Sequence, residues 1–226
     1  ADKFAVKDEN GMEQYFSGIS KDKQEKIMQT KLTIYECEGT ESEIKEWFKT
    51  INIAGVPLNE QELLNAIYSG QFVTLAKAEF SNSQNANIQK WGAYVKGSVN
   101  RQEFLARALD WVSRDKVGEY MSKHRKDTNI NELKTYFNSV IDWVSKTFID
   151  IESEMKGLEW GRLYEKYHNK GYNPKKISDK VHKLYADPYV KNRKGVFEYI
   201  LGGEEDTKHL DVRVFDEAVK KSVYTK

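Results

Sequence analysis

Two short basic runs carry the clearest chemistry in this chain. The first, KHRKD, sets Lys123, His124, Arg125 and Lys126 side by side ahead of Asp127. The second, KNRK, contributes Lys191, Arg193 and Lys194. Neighbouring cations of this kind suit a phosphate backbone, so these seven residues are the candidate DNA contacts. The competing reading is a solvated helix end, because cations favour a helix C-terminus. The remaining histidines are His168, His182 and His209. None of the four stands at a metal-ligand spacing such as H-E-x-x-H, so all are expected at the surface and no metal residue is predicted. No Ser-His-Asp signature, phosphate-binding glycine loop or dinucleotide fingerprint occurs, so no catalytic residue is predicted. The GGEED run reads as a solvated loop. The single cysteine, Cys37, excludes an internal disulfide and a multi-cysteine zinc site.

The five tryptophans, Trp47, Trp91, Trp111, Trp143 and Trp160, could stack on bases. Most have apolar neighbours at helical spacing, which points to core packing instead. Trp160 stands apart, in a cluster with Gly161, Arg162, Tyr164 and Tyr167 that would also suit a docking surface.

The elements that must position these groups are mostly helices. Ile44, Trp47, Phe48 and Ile51 fall at i, i+3, i+4, i+7, one apolar helical face. Thr40 and Glu43 make a capping-box pattern ahead of it. The helix should stop near Asn52 to Gly55, since glycine ends helices and Pro57 cannot continue one. Asn59 and Glu62 then cap a second helix carrying Leu63, Leu64, Ile67 and Tyr68. Asn52 is the odd residue, polar at the mouth of a hydrophobic hinge.

This stretch resembles a known family. Phe48, Asn52, Gly55, Leu58, Glu62 and Leu63 match F-x-x-x-N-x-x-G-x-x-L-x-x-x-E-L. The pattern is similar to the GmrSD-type, modification-dependent restriction proteins, in their ParB/sulfiredoxin-like domain, whose members often continue into an HNH nuclease. The family's D-G-Q-Q-R nucleotide-processing motif is absent and would be expected upstream of residue 1. The nuclease residues would be expected beyond residue 226. The resemblance therefore implies the middle of a larger DNA-cutting protein. It implies a nucleotide and a divalent metal for the intact protein, and neither cofactor for this segment. It also makes Asn52 and Gly55 candidate cofactor-binding residues lining a nucleotide pocket, against their plain role as a helix stop.

Around this pair, Phe4 to Phe16 alternate weakly about a DENG turn, which predicts two short strands. A polar helix follows from Ser20, with Ile27 and Met28 facing inward. KLTIYECEG, from Lys31, reads as the best strand. Capping patterns at Asn100/Glu103 and Asn129/Glu132 open two further helices. The second carries Leu133, Phe137, Val140, Ile141, Val144 and Phe148 on a wide apolar stripe. Asn173–Pro174 starts another, which should end near Asp187–Pro188. VFEYILGG is a short helix or strand, and a last strand is expected around Val212 to Phe215.

In 226 residues, 36 Lys+Arg nearly balance 35 Asp+Glu, so any DNA-binding face must be local. A hydrophobic fraction of 39% supports a real core. No run is long and apolar enough for a membrane span or signal peptide, which predicts a cytosolic protein. The fold expected is mainly α (α+β overall): residues 1–39 ending an α/β core, a helical bundle over 40–187, and a connector over 188–226. The expected partners are DNA and flanking domains of the same polypeptide, with no membrane partner. The alternative is a non-enzymatic helical binding or scaffold module.

Overall fold

The computed structural model describes residues 5–8, 10–32, 34, 36, 38–52, 58–98 and 102–212. It divides into two units, Ala1–Thr40 and Glu41–Lys226.

In the first unit, strand β1 (Ala5–Lys7) pairs antiparallel with β2 (Glu13–Tyr15). The turn between them is built by Asp8. Its Oδ1 accepts the N–H groups of Asn10 and Met12, each at 2.9 Å, and Gly11 takes a φ of +79° that a residue without Cβ adopts freely. The Met12 N–H, foremost, holds the Asp8 carboxyl below its usual range. Helix α1 (Lys21–Gln29) follows. Its Ile27 and Met28 do not face inward as expected, but are 53% and 75% exposed. The reason is the absence of a layer to meet: no described residue of this unit is buried. The strand expected from Lys31 falls partly outside the described residues, as does Cys37. Leu32 and Ile34, which are described, are exposed and belong to no strand.

The second unit is helical. Helices α2 (Glu41–Asn52) and α3 (Glu60–Ile67) form the predicted pair, and the expected helix stop over Asn52 to Gly55 lies largely outside the described residues. Asn59 Oδ1 accepts the Glu62 N–H while Glu62 Oε2 accepts the Asn59 N–H, both at 2.8 Å. Then come α4 (Gln71–Phe80), α5 (Ile88–Gly92), α6 (Glu103–Ser113), α7 (Val117–His124) and α8 (Asn131–Thr147). The last helices are α9 (Trp160–Tyr167), α10 (Pro174–Ala186) and α11 (Gly195–Leu201). Asn173 caps α10 through the Lys176 N–H at 3.1 Å, with Pro174 in the first turn.

Two expected capping boxes are not built. Helix α6 starts after Gln102, so Glu103 lies too early to reach back as a box requires, and Asn100 lies outside the described residues. Helix α8 starts at Asn131, and Asn129 accepts the Asn131 N–H at 3.1 Å in a local turn instead.

The core forms on α6 and α8. Phe104, Leu105, Ala108, Leu109 and Trp111 of α6 are buried, as are Leu133, Phe137, Val140, Ile141 and Val144 of α8. The Trp111 indole stacks on Phe137 with ring centres 5.2 Å apart, and Phe80 and Trp91 meet the same ring edge-on. Trp160 is fully buried and its Nε1–H donates to Met155 O at 2.9 Å, so it is a core residue rather than a docking surface.

The bundle's core draws on residues past 187, where the sequence reading placed a connector. Val190, Val196, Phe197, Ile200, Leu201 and Leu210 are all buried. Backbone N–H groups of Lys191 and Asn192 both donate to Leu210 O. Gly195 fits so closely there that an added Cβ would sit 1.7 Å from His209 O. Val212 lies in no strand, and the rest of the strand expected to Phe215 is outside the described residues. Among the described residues, no helix is long and apolar enough to cross a membrane.

Candidate functional site

The first basic run forms the end of α7, and the fold uses half of it internally. His124 is buried rather than on the surface. Its ring lies 4.2 Å from the Tyr120 ring centre and 5.9 Å from that of Phe72, and its Nδ1 pairs with Asp127 Oδ2 at 2.7 Å. Burial on α7's inner face therefore removes His124 from a phosphate-contacting role. Arg125 donates from Nε to Ser69 O at 2.9 Å, tying the end of α7 to the turn between α3 and α4. Lys123 and Lys126 are exposed and make no ion pair with another described residue.

The second run caps the α10–α11 turn. Lys191 Nζ donates to Pro188 O at 2.8 Å. The Arg193 guanidinium sits 5.1 Å over the Tyr185 ring and 4.0 Å from Glu154 Oε1. Lys194 is exposed at the start of α11. The two runs belong to separate packing neighbourhoods, one against Ser69 and Phe72, the other against Tyr185 and Leu210. Of the candidate cofactor residues, Asn52 is the last residue of α2, and Gly55 lies outside the described residues.

The most concentrated charge lies elsewhere, where the C-terminus of α6 meets the start of α9. A cleft of about 200 Å³ is lined by Asp110, Trp111, Arg114, Asp115, Glu159, Gly161, Arg162 and Glu165. Arg107 bridges its rim: Nη1 lies 2.8 Å from Asp110 Oδ2 and 2.9 and 2.8 Å from the two Glu159 oxygens. Arg114 Nη2 donates to Glu165 Oε2 at 2.7 Å, and the Tyr136 hydroxyl donates to Glu165 Oε1 at 2.7 Å. Arg162 holds Glu198 through its two terminal guanidinium nitrogens, Nη1 and Nη2, at 2.9 and 2.6 Å.

Compared with family models, curated proteins and solved structures, the chain finds no match. Its site chemistry is thus read from geometry alone.

Burial first, with the neighbouring Asp115 adding to it and Arg107 opposing both, raises the Asp110 carboxyl from 3.8 to about 6. Glu198 moves the other way, held below its usual range by Arg162. Burial drives the Tyr136 hydroxyl well above its usual value, and its contact with Glu165 adds to this. Among the described residues, no three or more His, Cys, Asp or Glu side chains gather as a metal cage. The cleft is an interlocked set of carboxylates and guanidinium groups. It can fix α9 against α6 through Arg107–Glu159 and Arg114–Glu165. Sequence reading missed it: Asp110 and Asp115 stand five apart across a helix end, a spacing that carries no motif.

Proposed function

We propose that this chain is the helical coupling segment of a modification-dependent restriction, or anti-phage, DNA protein. In the intact protein an upstream domain would process a nucleotide and a downstream HNH nuclease would cut DNA with a divalent metal. The segment's own role is mechanical: it joins the hinge between α2 and α3 to the bundle, and it holds DNA weakly through exposed lysines.

The observation that carries this reading is how helix α3 is fastened. Phe48 and Leu63, two positions of the motif, pack against the core. A third, Glu62, closes the capping box of α3. Buried Gln61 donates to Asn65 Oδ1 at 2.8 Å, and Asn65 in turn donates to Gln102 at the start of α6. From the other side, Arg125 holds Ser69. A movement of α3 would therefore pass directly into α6 and α7.

A second reading, a non-enzymatic protein-binding or scaffold module, is favoured by one observation. His124, Arg125, Lys191 and Arg193 already make internal contacts, which leaves Lys123, Lys126 and Lys194 for phosphate. Titrating the purified chain with duplex DNA across a salt series separates the two. Three phosphate contacts predict a log–log salt slope of about −2.7. Absence of binding at low salt would leave the scaffold reading.

A further inference from the structure

We propose that the outer face of α10, together with the loop after α8, is the docking surface for an acidic amphipathic segment of a partner protein.

Charge singles out this part of the chain. Residues 166–194 carry nine Lys and Arg against two Asp, a net of +7 in a chain whose whole net is +1. Helix α10 holds four of the lysines. Burial of Ile177 and Val181 against the core turns its opposite face to solvent, and Lys175, Lys176, Lys180 and Lys183 are all exposed. Lys180 is taken by Glu204. Lys175, Lys176 and Lys183 make no ion pair with another described residue. Lys175 and Lys183 stand about 12 Å apart along the helix axis.

The same face has an apolar border. Helix α8 ends at Thr147, and Phe148 turns into the core. Ile149 and Ile151, on either side of Asp150, are left 55% and 64% exposed. Asp150 fastens this loop to α10: its Oδ2 accepts the Ser178 hydroxyl and lies 3.7 Å from His182 Nε2. Lys175 precedes Ser178 by three residues, so it rises from the same flank of the helix. The two isoleucines and the free lysines are therefore neighbours.

This mixture selects the occupant. Exposed isoleucines gain by leaving water, and a sugar–phosphate backbone offers them no apolar surface. Asp179 interrupts the lysine row and would oppose a continuous line of phosphates, whereas separate carboxylates can take the lysines around it. Arg193, the forked donor that phosphate favours, is held over Tyr185 instead. Insertion into an anionic lipid surface would press Asp150, between the isoleucines, against the headgroup charge. A helix with one apolar side and carboxylates seven or eight residues apart along its edge meets both the isoleucines and the Lys175–Lys183 span. None of the lysines used is one assigned to DNA, so the proposal stands apart from the DNA reading.

Fluorescence anisotropy with the full chain at physiological salt tests this. The probe is a labelled peptide of about 18 residues, five helical turns, with leucines on one side and glutamates elsewhere. Its control has every Leu changed to Ser. Saturable binding of the leucine peptide is expected, and weaker binding of the serine peptide. Lys175→Ala/Lys176→Ala/Lys183→Ala should weaken the leucine peptide by roughly tenfold, the sum of three exposed ion pairs. Ile149→Ser/Ile151→Ser should weaken it several-fold. All five positions are exposed, so both variants should fold as the wild type does by circular dichroism, and duplex DNA binding should be kept in both. Absence of saturable peptide binding overturns the proposal, as does equal affinity for the two peptides or for either variant. DNA binding lost in parallel with peptide binding in the lysine variant makes the face a general polyanion surface and overturns it too. Phosphatidylserine vesicles that sediment the chain overturn it in favour of a lipid surface. Peptide binding without any DNA binding leaves this proposal standing while the DNA reading falls.

Discussion

Gly161 lies so close to Trp111 that a Cβ on it would stand 2.5 Å from Trp111 Cγ and 2.6 Å from Cδ1. Helix α9 reaches α6 at this point, and the charged cleft exists because it does. The contact also sets Glu159, two residues back at the N-cap of α9, within reach of Arg107. Gly161→Ala should force the indole off its stack on Phe137 and push the helices apart. Overpacking of this kind costs about 1–3 kcal/mol. Urea unfolding of the variant measures it; a loss below a few tenths would show that the ring can move aside freely.

The hinge helix α3 depends on its cap. Asn59→Ala removes the acceptor for the Glu62 N–H and should destabilise the chain by about 1 kcal/mol. Glu62→Gln keeps a side-chain acceptor for the Asn59 N–H and should cost less. If the two variants unfold alike, the charge on Glu62, and not only its acceptor oxygen, carries its half of the box. Circular dichroism during thermal melting distinguishes these outcomes.

Glu198 and Asp110 predict opposite pH dependences. Arg162 depresses the Glu198 carboxyl below its usual 4.5. Its stabilisation is present above pH 4.5 and lost as pH falls through the lower folded value. Glu198→Gln should therefore cost about 1 kcal/mol at pH 7 and much less at pH 3, Arg162 being half exposed.

Asp110 is raised, from 3.8 to about 6. Its favourable contribution is complete below pH 3.8 and lost as pH rises through about 6. Asp110→Asn should accordingly gain stability relative to wild type between pH 4 and 6 and hold that gain above it. A gain that runs the other way would mean that Arg107 outweighs burial at this site.

Local chemistry made part of this fold legible. The caps at Asn59 and Asn173 and the end of α10 before Pro188 each depend on residues within one turn of one another. The stripe on α8 was readable because five of its core residues repeat at helical spacing. The inward turn of Ile27 and Met28 was not, since an amphipathic pattern states which face is apolar but not whether anything covers it. His124 was misplaced for a related reason: four polar letters in a row conceal that one of them projects between Phe72 and Tyr120. The cleft was the least legible feature. It needs α9 docked on α6 through Gly161, and two left-handed residues that no glycine marks.

The account's central claim is that this segment couples a hinge to a bundle that also holds DNA. Its most direct test is fluorescence anisotropy of labelled duplex DNA with the wild-type chain and with Lys123, Lys126 and Lys194 changed together to alanine, from low to physiological salt. The account predicts saturable binding that weakens steeply with salt, and a much shallower slope for the triple variant with unfolding unchanged. No binding at low salt, or the same slope in both proteins, would contradict it.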